Sequence, residues 1–129
     1  MIPNNSITFN FDSLNIFSLA APSIKDEIAL KKNNTIQWHE NHDVIFLECP
    51  ISDGFPKSEV AWFHNSEPIT ENFDLQIFKK TLNINRFVET LNGIYICNAK
   101  NEYGSVKYKF RLYLASNLTS YFSFKSYYL

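Results

Sequence analysis

Between Gly104 and Ala115 the chain alternates with a period of two: Val106, Tyr108, Phe110, Leu112 and Leu114 are apolar, and Lys107, Lys109 and Arg111 stand between them. A helix would spread these five apolar side chains around its circumference, whereas a strand collects them on one face. The segment is therefore expected to be a half-buried strand with a basic outer face. The same period recurs twice. Ile45, Leu47, Cys49 and Ile51 share one parity opposite Phe46 and Glu48, and Tyr95, Cys97 and Ala99 alternate with Ile94, Ile96 and Asn98.

Turn signals such as Ser52-Asp53-Gly54-Phe55-Pro56 separate these runs at intervals of about 8–12 residues, the spacing of an all-β sandwich. The pattern predicts strands over 24–30, 35–38, 44–51, 60–65, 73–78, 81–87, 93–100 and 105–114, with a short piece near Pro68-Ile69. A chain of 129 residues is one domain by length. Aromatic residues make up 16% of it, which favours strands, and three glycines leave no material for a phosphate-binding loop.

The formal net charge of −1 gives the chain no reason to seek nucleic acid or an anionic bilayer. No apolar run approaches the ~18–20 residues that a membrane-spanning helix needs, so direct membrane insertion is not expected. Residues 1–21 lack periodicity and read as a poorly ordered lead-in or a weak leader. Their apolar run from Ile16 to Ala21 is short and follows Asp12 instead of a basic residue, although Ser18-Leu19-Ala20 would pass as a cleavage site. The folded unit is expected over 22–115, followed by an aromatic tail over 116–129 in which Lys125 interrupts Tyr121, Phe122, Phe124, Tyr127 and Tyr128.

Catalytic and metal chemistry find little support. His39 and His42 flank Glu40 beside Asp43, but the strand beginning at Val44 denies them a shared helical face, and no further ligand is near in sequence. His64 has no Ser or Cys nucleophile motif beside it. No enzyme activity, cofactor or metal is expected. Two cysteines are too few for a thiolate zinc site, and leave either one bridge or two free thiols.

The spacing of a few residues is more specific. Trp62 follows Cys49 by 13 residues, Cys97 follows Trp62 by 35, and Tyr95 stands two before Cys97. Together with Leu82-x-Ile84-x-x-Phe87 and Gly93-x-Tyr95-x-Cys97-x-Ala99-x-Asn101-x-x-Gly104, this resembles the I-set of the immunoglobulin superfamily. The resemblance implies a Greek-key sandwich of two antiparallel sheets, with strands lettered A to G. It implies a Cys49–Cys97 bridge between strands B and F with Trp62 packed on it, and a tyrosine corner at Tyr95. Leu82, Ile84 and Gly93 complete the core signature. Such a bridge contributes roughly 4 kcal/mol in the chain-entropy description and persists in oxidising compartments; in a cytosolic muscle-type relative the same cysteines would be buried thiols. Leu91 stands where the family usually has an Asp that pairs with a basic residue, so that ion pair is expected to be missing.

The resemblance points to an extracellular or cell-surface recognition module of receptor or adhesion type. The alternatives are an intracellular muscle or cytoskeletal spacer and a growth factor receptor fragment that binds heparan sulfate. Sequons at Asn4, Asn33 and Asn117 permit glycosylation, yet 15 Asn and 18 Ser plus Thr predict about two by chance. Strand pairing should bring Phe63, Ile94 and Ile96 beside Lys107, Lys109 and Arg111 on the outer face of strands G, F and C, a candidate surface for a protein partner, homophilic binding included. Lys and Arg two apart on a strand lie about 6.6–6.8 Å apart and could also meet heparan sulfate. Cys97-x-x-x-Asn101-Glu102-Tyr103-Gly104-Ser105 and Cys49-Pro50 further resemble the second immunoglobulin-like domain of fibroblast growth factor receptors. That domain binds growth factor and heparan sulfate through the segment before strand B, where this chain has Lys31 and Lys32 but then Trp38-His39-Glu40, without a dense basic run.

Overall fold

Alternating burial organises the chain, and the computed structural model describes residues 18–25, 27–32 and 35–117. One sheet has five strands: β2 (Ile36–His39), β10 (Gly104–Leu114), β9 (Gly93–Asn101), β5 (Glu59–His64) and β6 (Glu67–Pro68), in that spatial order. The second has three, β3 (Ile45–Glu48), β8 (Thr81–Ile84) and β7 (Leu75–Phe78). A two-stranded ladder of β1 (Ser23–Ile24) with β4 (Ile51–Ser52) extends one corner. Between the two main sheets the chain crosses from β2 to β3, from the β4 corner to β5, from β6 to β7 and from β8 to β9, and β9 lies between β10 and β5. This is an all-β immunoglobulin-like sandwich.

The inward parities meet in a core where Leu82, Ile84, Phe87, Tyr95, Cys97, Ala99 and Leu112 are fully buried. Cys49 and Cys97 are bridged across the two sheets, with Cα atoms 5.9 Å apart. Trp62 is paired directly with Cys97 in the ladder and stacks on Phe110 at 5.8 Å.

Three expectations need correction. The segment expected as a strand over 24–30 forms only the two residues of β1 and then a short helix, α1 (Glu27–Lys31). Good helix formers and Lys31 in the last turn favour it, and the Tyr108 hydroxyl donates to the Ala29 carbonyl at 2.6 Å. The strand expected over 44–51 is split because Pro50 has no N–H to give the ladder; the Pro50 carbonyl instead accepts from Lys25 N–H. Finally, β2 runs parallel to β10, not antiparallel, because the crossover through α1 delivers it to that edge from the same end.

At the pole where the described chain begins, Ala20 exchanges both backbone hydrogen bonds with Phe55. The Asn101 amide donates to the Ala20 and Pro56 carbonyls at 2.7 and 2.8 Å.

Candidate partner-binding face

The outer face of the five-stranded sheet is built row by row from its register. Asn98 lies between Ala61 and Lys107; Ile96 lies between Phe63 and Lys109, with Pro68 beyond Phe63. In the next row Arg111 lies between Ile94 and Ile36, and beyond it Tyr113 faces Trp38. Cross-strand neighbours of this kind have β-carbons about 4.5–5.5 Å apart. The six residues singled out in the sequence therefore occupy adjacent rows of one surface.

Trp38, Tyr113 and Ile36 were missed. Tyr113 continues the outward parity of Lys107, Lys109 and Arg111 by one more step and was legible. Trp38 and Ile36 were not, because a parallel pairing with β10 leaves no local signature. The rings of Trp38 and Tyr113 are 6.1 Å apart and tilted by 46°. Trp, Tyr and Arg are the residue types that most often anchor protein interfaces. A cleft of about 200 Å³ opens on the same face between Phe63, Ser66, Ile96, Asn98 and Lys107. It lies beside the hairpin turn Asn65-Ser66, where both residues have positive φ, 49° and 73°, as the tight mirror-image turn requires. Glu59 sits in the end row with Lys100 and Ser105.

Beneath this face, the Tyr95 hydroxyl donates to the Leu91 carbonyl at 2.5 Å, the tyrosine corner. Burial pushes the Tyr95 phenol well above its ordinary range. His64 stacks on Tyr95 with ring centroids 4.3 Å apart and shares a hydrogen bond of 2.8 Å with the Asn92 carbonyl. Leu91, in the place of the usual Asp, packs against the core. Arg86 lies 3.9 Å from Asp74 instead.

The remaining candidates are scattered. Lys79 and Lys80 form the β7–β8 turn on the other sheet, Lys79 over the Phe78 ring and Lys80 3.8 Å from Asp53. Lys32 and Lys109 line a separate cleft of about 430 Å³ together with Glu48. His39 lies edge-on to Phe87 and 3.7 Å from Asp43, and His42 is exposed. Among the described residues no three His, Cys, Asp or Glu side chains are grouped to hold a metal ion, and no helix is long and apolar enough to cross a membrane. Asn4, Asn33 and most of the tail lie outside the described residues; Asn117 is half-buried in a short 3-10 turn, Ala115–Asn117.

Two sheets pinned by one bridge beside a buried Trp and a tyrosine corner define an immunoglobulin-type module. The chain matches the Immunoglobulin I-set domain family over residues 27–114 and belongs to it. Among curated relatives, it is 36% identical over 67 residues to neural cell adhesion molecule L1 of Rattus norvegicus, covering 51% of this chain and 5% of that protein. It is 31% identical over 104 residues to MAM domain-containing glycosylphosphatidylinositol anchor protein 1 of Gallus gallus, covering 81% and 10%. The chain thus spans a tenth or less of these relatives' length. Among solved structures, the N-terminal eight Ig domains of Down Syndrome Cell Adhesion Molecule superpose with a TM-score of 0.66 at 18% identity, over 87% of this chain and 14% of that one.

Proposed function

We propose that this chain is a non-catalytic extracellular recognition module of a receptor or cell-adhesion protein, and that it binds a protein partner through the outer face of β2, β10, β9 and β5. The observation that carries the reading is the juxtaposition on one surface of Trp38 and Tyr113, Phe63, Ile94 and Ile96, and the row Lys107, Lys109 and Arg111. Relatives named as an adhesion molecule and as vascular endothelial growth factor receptor 3 of Coturnix coturnix support the cell-surface setting. So does the bridge, which belongs to oxidising compartments. Both cysteines are in that bridge and His64 is engaged with Tyr95 and Asn92, which leaves neither for catalysis.

Two measurements test this. Intact mass of the full chain from a secreting eukaryotic host, with and without reduction, should give cysteines that alkylate only after reduction; thiols that alkylate at once on the folded chain would favour an intracellular spacer. A tetramerised chain screened on arrayed extracellular proteins should lose its hits in the variant Phe63→Ala, Ile96→Asp. Hits of unchanged strength would remove this face from the reading.

A further inference from the structure

The cleft between Phe63, Ser66, Ile96, Asn98 and Lys107 has a volume of about 200 Å³, the size of one large side chain. Its walls differ in chemistry. Phe63 and Ile96 are half-buried apolar side chains, paired across β5 and β9. Asn98 Oδ1 is shielded from water and has no hydrogen-bond partner among the described residues. Such an acceptor costs stability until a donor reaches it. Lys107, its neighbour across the ladder, does not satisfy it. Lys107 is exposed at the rim, and among the described residues no carboxylate lies within ion-pair distance of its ammonium.

We infer that this cleft receives a tyrosine side chain of the protein partner. The inference rests on the reading that this face binds a protein, and it names the anchor. The site asks its occupant for three things: a flat apolar body against Phe63 and Ile96, a donor for Asn98 Oδ1, and an acceptor for the Lys107 ammonium.

Side-chain chemistry narrows the choice. Phe supplies the body alone. Asp and Glu accept from Lys107 but, ionised, have no proton to give Asn98. Trp donates through its indole N–H and has no lone pair to accept with. Arg and Lys would bring a second cation beside Lys107. Ser, Thr and the amides carry both polar functions without a ring to lie on Phe63 and Ile96. Among the large aromatic rings, only the phenol donates and accepts at one atom. Its hydroxyl gives its proton to Asn98 Oδ1 and takes one from Lys107. The terminal torsion of Asn98 is broad, and a small rotation turns Oδ1 towards the incoming hydroxyl. Tyrosine is also among the residue types that most often anchor protein interfaces.

NMR titration of the isotope-labelled full chain tests this, with N-acetyltyrosinamide as probe and N-acetylphenylalaninamide as its hydroxyl-free counterpart. The tyrosine amide should shift the signals of Phe63, Ile96 and Asn98, with half-saturation on the order of 1–10 mM. The phenylalanine amide should bind at least about tenfold more weakly. Asn98→Ala and Lys107→Met should each weaken the tyrosine amide about three- to tenfold; Lys107 is exposed, so its variant leaves the core untouched. Lys79→Met, on the other sheet, should bind like the parent. No shift of these signals at about 20 mM, equal binding of the two amides, or full-strength binding in either cleft variant would overturn the inference. So would a methyl glucoside that shifts them where the tyrosine amide does not, because the cleft would then read a sugar. The arrayed-protein screen is independent of this titration. Hits that need Phe63 and Ile96, in a chain that ignores the tyrosine amide, would keep the face and remove only its tyrosine anchor.

Discussion

The Asn65 side chain lies directly against the α-carbon of Gly93: a β-carbon at Gly93 would stand 2.4 Å from Asn65 Oδ1. That oxygen accepts Ile94 N–H at 3.0 Å, and Asn65 N–H donates to the Ile94 carbonyl at 2.8 Å. The β5–β6 turn is thereby tied to the start of β9. Gly93 also has φ of 134°, a conformation that L side chains rarely adopt.

Gly93→Ala should consequently cost about 1–3 kcal/mol from backbone strain alone, with the clash added. Asn65→Ala should cost about 1 kcal/mol by leaving Ile94 N–H without its acceptor. The double variant removes the clash and should cost less than the sum of the two. Thermal melts of the four proteins decide this, at about 4–8 °C per kcal/mol for a domain of this class; additive shifts would show that the two residues do not interact.

Tyr95→Phe deletes the hydroxyl that holds Leu91 and should destabilise by about 0.5–1.5 kcal/mol at neutral pH. The pH dependence has a definite sign. Burial raises the folded phenol, so above about pH 10 the unfolded chain loses this proton while the folded chain keeps it. The contribution is complete below that pH and falls as pH rises beyond it. Denaturant titrations at increasing alkaline pH should show a steeper loss for the parent than for Tyr95→Phe. Parallel slopes would contradict the assignment.

The loop before β7 acts as a stopper on a sheet edge. Asn72 Oδ1 accepts from both Asp74 and Leu75 N–H at 2.8 and 3.0 Å. The Glu71 carboxylate accepts Ile77 N–H at 3.0 Å. Asn72→Ala should cost about 1–2 kcal/mol, and Glu71→Ala should speed amide exchange at Ile77 specifically. Unchanged exchange at Ile77 would mean that the Glu71 contact gives that edge no protection.

Replacing both bridge cysteines by Ala should cost about 2–5 kcal/mol, since the link closes a sequence separation of 48 residues. Chemical denaturation with an unchanged midpoint would indicate that the sheets hold together without it.

Much of this architecture was legible because it is written in period two. The alternation in β10, β9 and β3 placed Tyr108, Leu112, Cys97, Ala99 and Leu47 in the core, and the outward parity placed Lys109 beside Ile96 and Phe63. What escaped the sequence was non-local or competed with a second pattern. Residues 24–30 are apolar enough for an edge strand yet carry helix formers, and the hydrogen bond from Tyr108 to Ala29, 79 residues away, is invisible in either segment alone. The partnership of Trp38 with Tyr113 depends on which edge the crossover reaches, which no local spacing encodes.

The parallel pairing of β2 with β10 also sets how the domain answers a pull. The chain enters β2 from one pole and leaves β10 at the other, so tension along the backbone slides the two strands past each other and loads the bonds around Ile36–Arg111 and Trp38–Tyr113 together instead of one after another. Once that clasp slips, the Cys49–Cys97 bridge still locks the chain between them. Any lengthening that follows comes only from the residues outside the covalent loop.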